Sequence, residues 1–162
     1  MPKTRMNRTI LTGRRPTKKR ATMSSTTTAA SKGIAAAIVP TFLHMLNTVK
    51  LFHWKTSSFA THKATDELYG NLNNKIDEFV EVMLGKDELG GRAKLLQVSM
   101  IKLTVYSNNN AFKKQIESYK KFLIDLSSEK NGFNTIMNAD LLAIRDELLA
   151  HFNQFLYLLS LR

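Results

Sequence analysis

The chain contains no cysteine. Neither a disulfide framework nor a thiolate metal site is open to it, and the absence leaves its compartment undecided. No acidic residue occurs before Asp66. The longest wholly apolar run is IAAAIVP, far short of a membrane span, so no membrane partner is expected. No G-x-S-x-G elbow and no Ser-His-acid arrangement is legible, which sets aside a nucleophilic hydrolase. No phosphate-binding glycine loop is present either, and no internal repeat.

What is there suffices for one domain. A chain of 162 residues with 43% apolar content can bury a real core. Its formal net charge of +11 is unevenly placed. Residues 1–33 carry nine bases and no acid: Lys3, Arg5, Arg8, Arg14, Arg15, Lys18, Lys19, Arg20 and Lys32. The remaining residues hold 15 bases against 13 acids, so the excess belongs to this segment. It is rich in Ser and Thr and poor in large apolar residues, so burial cannot repay the entropy of ordering it. The division expected is a basic disordered tail over 1–33 and a helical domain over 34–162. Such an arm suits a phosphate backbone, whose counterions it would release. A solubilising tail or an organellar transit peptide would have the same composition.

Four amphipathic segments follow. The first helix is expected from about Pro40 to Thr56, or from near Ser31 with a kink at Pro40. Phe42, Leu46, Val49 and His53 share one face of it, which turns His53 inward and leaves His44 toward the surface. The second runs to about Leu84, with Ser57 and Ser58 as cap candidates, Gly85 as the stop, and Leu68, Leu72, Ile76, Phe79 and Met83 as its core face. Residues 87–110, with LLQVSMIKLTVY, read as a short strand or an extended crossover. The third helix is expected over 111–128, burying Phe112, Ile116, Tyr119, Leu123 and Leu126. The fourth is expected over 139–161 after a candidate cap at Asn138. Its inward residues are Leu141, Leu148, Leu149, Phe152, Phe155, Leu156 and Leu159. The architecture these segments predict is all-α: a four-helix bundle with one long crossover between helices 2 and 3.

One segment, HWKTSSFATHKATDELYGNLNNKIDEFVE, concentrates the chemistry. It carries His53, His62, Asp66, Asp77 and Glu81, and within the second helix the spacings are four, eleven and four. Imidazole with carboxylate is a donor set that suits iron or manganese. On a wheel of about 100° per residue, His62, Asp66, Asp77 and Glu81 fall within an arc of about 100° beside the apolar face. That strip also includes Phe59, Val80 and Leu84. Asp66 and Asp77 are about 16 Å apart along the helix, too far for one ion. Either there are two half-sites, or a two-fold partner brings its Asp77 and Glu81 to this chain's His62 and Asp66. His151 and Glu147, four apart in the fourth helix, read as rim residues.

The segment resembles the Dps-like miniferritins of the ferritin-like superfamily. Those proteins have a His-Trp pair closing the first helix, His and Asp four apart opening the second, and Asp and Glu four apart eleven residues on. The resemblance covers about 30 residues. It implies that His53, His62 and Asp66 are ligands from one subunit and Asp77 and Glu81 ligands from its two-fold mate. It also implies an iron(II)-oxidising site in a homo-oligomeric shell and a basic tail that holds DNA. The stretch between His53 and His62 is three residues shorter than in those proteins. The chain also resembles an uncharacterised family of small helical proteins encoded by large double-stranded DNA viruses. These share the H-W-x-T-x-S-[FY]-A-x-H-K-A run and I-R-D-E-[IL]-L, here Ile144 to Leu149. That likeness carries no activity and points to a virion or nucleic-acid-associated protein, placed in a virion or in the host cytoplasm.

Arg145 bears on the choice. It stands at the centre of the apolar face of the fourth helix, where a buried guanidinium needs a carboxylate. Asp66, Asp77 or Glu81 could supply one, which would make the strip an ion-pair network instead of a metal site. Two functions are therefore expected to compete: a metal- and nucleic-acid-binding miniferritin-like protein, and a non-catalytic interaction protein in which the strip is structural.

Overall fold

The computed structural model of the chain describes residues 29–128, 133 and 135–161. Residues 1–28 of the expected tail, with the basic residues from Lys3 to Arg20, lie outside the described residues, while its last residues, 29–33, already belong to the helix that begins at Ala29. The fold is all-helical. Four long helices, α1 (Ala29–Lys55), α2 (Phe59–Leu84), α4 (Asn109–Asp125) and α5 (Ala139–Leu158), are joined by a 3-10 turn at Asp87–Leu89 and a short α3 (Arg92–Leu95). The expected third and fourth helices are thus α4 and α5.

α1 passes through Pro40 without ending. The Thr41 hydroxyl donates to the Ala37 carbonyl at 2.7 Å in the same turn. Ile38, Phe42, Met45, Val49 and Phe52 recur at steps of four and three and are all buried. Residues 33–55 are long and apolar enough to cross a membrane by length and composition alone. In this fold those five side chains go into the core.

Only three residues separate α1 from α2. The Ser58 hydroxyl caps α2, accepting from the Thr61 N–H at 3.3 Å. Leu68, Leu72, Ile76, Phe79 and Met83 form its buried face, as the periodicity implied. Phe42 of α1 meets Phe79 edge-on at 5.1 Å between ring centroids.

The connection from Gly85 to Asn108 is long. Gly90, at φ +119°, ends the 3-10 turn in the left-handed region that favours glycine. Leu89 and Leu95 are the buried anchors of this connection. The strand considered for LLQVSMIKLTVY does not form. Every long element around it is helical, so no strand edge is offered to it, and no strand occurs among the described residues.

α4 starts under an Asn108 cap, whose side-chain oxygen accepts from the Ala111 N–H at 2.9 Å. Phe112, Ile116, Tyr119, Leu123 and Leu126 are buried. In α5, Leu141, Leu148, Phe152 and Phe155 are buried, while Leu149, Leu156 and Leu159 are only partly so. Asn138 precedes α5 without a side-chain capping bond. Asp140 Oδ1 accepts the Leu141 N–H instead, at 2.9 Å, and Lys86 reaches Asp140 at 3.0 Å.

Side-chain contacts give the directions. Phe52 stacks on Phe112 at 3.9 Å and His44 meets Tyr119, so α1 and α4 are antiparallel. Phe112 meets Phe155, Tyr119 meets Phe152, and Arg145 bonds the Leu123 carbonyl, so α4 and α5 are antiparallel. Lys75 pairs with Glu147 and Lys86 with Asp140, while Leu68 and Phe155 line one cleft, so α2 and α5 are antiparallel too. α2 and α4 therefore run the same way, and the long connection returns the chain to the starting end of α2.

Phe112 touches Phe52, Tyr106 and Phe155, where α4 closes on its neighbours. Phe112→Ala should lower unfolding free energy by about 3–5 kcal/mol and Asn108→Ala by about 1 kcal/mol, read from denaturant midpoints at constant slope.

Candidate functional site

The site begins with the shortness of the α1–α2 turn. α1 closes with the Thr56 N–H on the Phe52 carbonyl at 3.0 Å, and α2 opens with the His62 N–H on the Ser58 carbonyl at 2.8 Å. This brings His53, in the last turn of α1, against His62, in the first turn of α2. Their rings stack with centroids 3.9 Å apart and planes 26° off parallel. The three-residue deficit in the linker therefore does not separate the two histidines.

Each histidine is held by the other's backbone. His53 Nδ1 lies 3.1 Å from the His62 carbonyl, and His62 Nδ1 lies 3.1 Å from the His53 carbonyl. A carbonyl can only accept, so each Nδ1 carries the hydrogen. In the neutral ring, each Nε2 is then left with its lone pair. Thr65 backs this clasp. Its hydroxyl contacts the carbonyls of Thr61 and His62 at 2.8 and 2.9 Å and sits 3.2 Å from His53 Nδ1. A hydrogen bond from Nδ1–H to a carbonyl is the usual way a ligating imidazole is oriented with Nε2 toward the metal.

Asp66 lies one turn beyond His62. Its Oδ1 is 3.9 Å from His53 Nε2, and its side chain is 57% exposed, so direct pairing between them contributes little. His53 itself is buried, so Asp66 meets only the Nε2 edge of that ring at the α1–α2 turn. Asp77 and Glu81 are exposed and stay with the far half of α2. Asp77 lines a groove of about 250 Å³ between α1 and α2, with Leu43, Leu46, Asn73 and Val80 on its walls. Among the described residues, no three His, Asp or Glu of one chain gather closely enough to hold an ion.

Arg145 corrects one expectation. It reaches neither Asp66, Asp77 nor Glu81. Its Nη1 donates to the Leu123 carbonyl at 3.1 Å and to the Ser127 hydroxyl at 3.0 Å, and its Nε pairs with Asp146 at 2.7 Å. The guanidinium tethers the C-terminal turn of α4, adding a second donor to the Leu123 carbonyl, which also accepts the Leu126 N–H at 3.2 Å. The carboxylates of α2 are left to other uses.

His44 corrects a second. It is half-buried, and its Nδ1 bonds the Tyr119 hydroxyl at 2.7 Å. Burial pushes the Tyr119 hydroxyl well above the usual phenol range, so it stays protonated and donates. The signal for this pair was Tyr119 itself, since a tyrosine in a buried stripe must place its hydroxyl on a partner. Glu147 pairs with Lys75 at 2.6 Å, and half-buried His151 lines a small cleft facing Glu67 and Asn71. Sequence reasoning also missed Thr65 and the Lys50 ammonium, which lies 4.6 Å from the Tyr69 ring centroid and 5.8 Å from that of Trp54.

The profile of a family of unknown function (DUF5856) matches residues 53–159. The match starts at His53 and so takes in the whole clasp, α2, the long connection, α4 and α5. No curated protein and no solved structure matches the chain.

In nitrogen-correlated NMR spectra, both neutral rings should appear as the Nδ1–H tautomer. Thr65→Val removes the hydroxyl beside His53 and should cost about 1–2 kcal/mol while leaving the tautomers in place.

Proposed function

The chain belongs to that family of unknown function, and we propose that it is a ferritin-like, Dps-like protein. In this reading it binds iron or another divalent metal at a His/carboxylate site shared between two copies, and nucleic acid through its basic N-terminal segment. The single observation that carries it is the clasp: two stacked imidazoles, each with Nδ1 on the other's carbonyl, and Asp66 3.9 Å from Nε2 of His53. His53 and His62 supply nitrogen donors, and Asp66 a carboxylate. Asp77 and Glu81, about 16 and 22 Å from Asp66 along α2, complete the set from the two-fold mate. The bound ion would supply Lewis-acid or redox chemistry at that shared position. The chain directions support a ferritin-like four-helix bundle, with α2 and α4 parallel and a long crossover between them. Arg145 adds support by leaving the carboxylates unneutralised.

A second reading has its own observation. The clasp is complete in its hydrogen bonds without an ion, and no three ligands gather in one chain. It then acts as a structural staple for the tight turn of a non-catalytic, virion or nucleic-acid-associated interaction protein.

Mixing separates the two. Iron(II) titration of the purified protein should give saturable, stoichiometric binding that is lost in His62→Ala and in Asp77→Asn. A refolded mixture of the two variants should regain binding in the mixed pairs, because one of the two sites then takes His62 from one copy and Asp77 from the other. No binding in the parent protein, or no recovery in the mixture, leaves the staple reading. For the basic segment, removal of residues 1–28 should weaken binding to duplex DNA of any sequence and flatten its salt dependence. An unchanged salt slope would assign DNA binding elsewhere.

A further inference from the structure

Ser99 to Ser107 is a thinly covered stretch of the long connection. Among the described residues, no backbone N–H or C=O of this stretch takes part in a hydrogen bond. Seven of its nine residues are exposed, only Ile101 and Tyr106 being half-buried. The exposed ones include Met100 at 87%, Val105 at 57% and Leu103 at 40%. A row of free backbone groups flanked by branched apolar side chains is a template for another strand.

The sequence of the stretch says which strand. SMIKLTVYS is nearly palindromic about Leu103. Laid antiparallel against itself with Leu103 opposite Leu103, Ile101 faces Val105, Met100 faces Tyr106 and Ser99 faces Ser107. Lys102 falls opposite Thr104, so the one charge never meets its copy. In an antiparallel pair, residues directly opposite share a face, and apolar pairs there stabilise while like charges oppose. A two-fold axis through Leu103 satisfies all of these at once.

We propose that residues 99–107 form a two-stranded antiparallel ribbon with the same residues of a second copy. The inference deepens the two-fold partnership of the proposed function by naming the element that sets it. Nine residues alone cover less than the roughly 800 Å² per partner typical of a stable interface. The neighbouring surface adds to it. Met100, Ile101 and Lys102 lie against Pro40, Thr41 and His44 of α1, and Leu43 of the same turn walls the groove that holds Asp77.

The absence of cysteine makes the test direct. Leu103→Cys in the full chain should oxidise to a disulfide-linked dimer at least tenfold faster than Ile124→Cys, an exposed site on α4 away from the ribbon. An equimolar mixture of Ile101→Cys and Val105→Cys chains should cross-link to each other, while each alone should not, because only the paired register brings those positions within disulfide reach. Leu103→Cys no faster than Ile124→Cys, or Ile101→Cys alone linking as readily as the mixture, overturns the ribbon. His62→Ala should leave the Leu103→Cys rate unchanged. Iron binding retained with no cross-link removes the ribbon and keeps the metal site. A cross-link without iron binding keeps the ribbon and removes the metal site.

Discussion

Two helices of 27 and 26 residues are joined by a turn of three, and the rest of the molecule is arranged around that constraint. So short a turn brings the end of α1 and the start of α2 side by side and leaves the carbonyls of their last and first turns close together. His53 and His62 meet the problem reciprocally, each ring donating to the other's carbonyl. The exchange orients both rings, fixes both tautomers and directs the remaining nitrogens away from the backbone. Structure and chemistry are not separable here. The bonds that close the turn are the bonds that would prepare two imidazoles to receive a metal.

The turn also decides what the other helices can do. α2 is forced back along α1, which puts Asp66, Asp77 and Glu81 along one outer strip. α5 takes the inner side of α2, pairing Lys75 with Glu147 and Lys86 with Asp140. α4 must then enter from the starting end of α2, because the phenylalanines at the ends of α1 and α5 already meet there around Phe112. The long connection follows from this direction, and so does the uncovered stretch near its end. The groove that holds Asp77 and the uncovered stretch near the end of the connection both border the same turns of α1, the first through Leu43 and the second through Pro40, Thr41 and His44. A second copy would complete each of the two proposed sites.

Much of the helical pattern was legible because apolar periodicity is a local signal. Leu68, Leu72, Ile76, Phe79 and Met83, and Phe112, Ile116, Tyr119, Leu123 and Leu126, are buried at the positions their spacing implied. The inward direction of His53 and the Ser58 cap were legible for the same reason. Partners far apart in sequence were not. Tyr119 finds His44 across 75 residues, which no spacing rule reaches. Arg145 was read as needing a carboxylate, with Asp66, Asp77 or Glu81 as candidates, yet the adjacent Asp146 and the Leu123 carbonyl lay nearer. LLQVSMIKLTVY has strand composition, but a strand requires a neighbour, and composition does not supply one. Of the site, the five candidate residues were visible as a pattern, and the distance along α2 already implied that one ion could not bridge Asp66 and Asp77 of one chain, leaving either two half-sites or a two-fold partner. The orientation of the two histidine rings was not visible, since it depends on backbone atoms.

The central claim is that the histidine clasp presents two Nε2 donors to an ion completed by another copy. Anomalous scattering from crystals grown with manganese(II) tests it most directly. The account predicts one peak per chain, bonded by Nε2 of His53 and His62 in one copy and by carboxylates from the second half of α2, Asp77 and Glu81, in the other. Saturating manganese with no density at the histidine pair, or a peak elsewhere with the clasp unchanged, would contradict it.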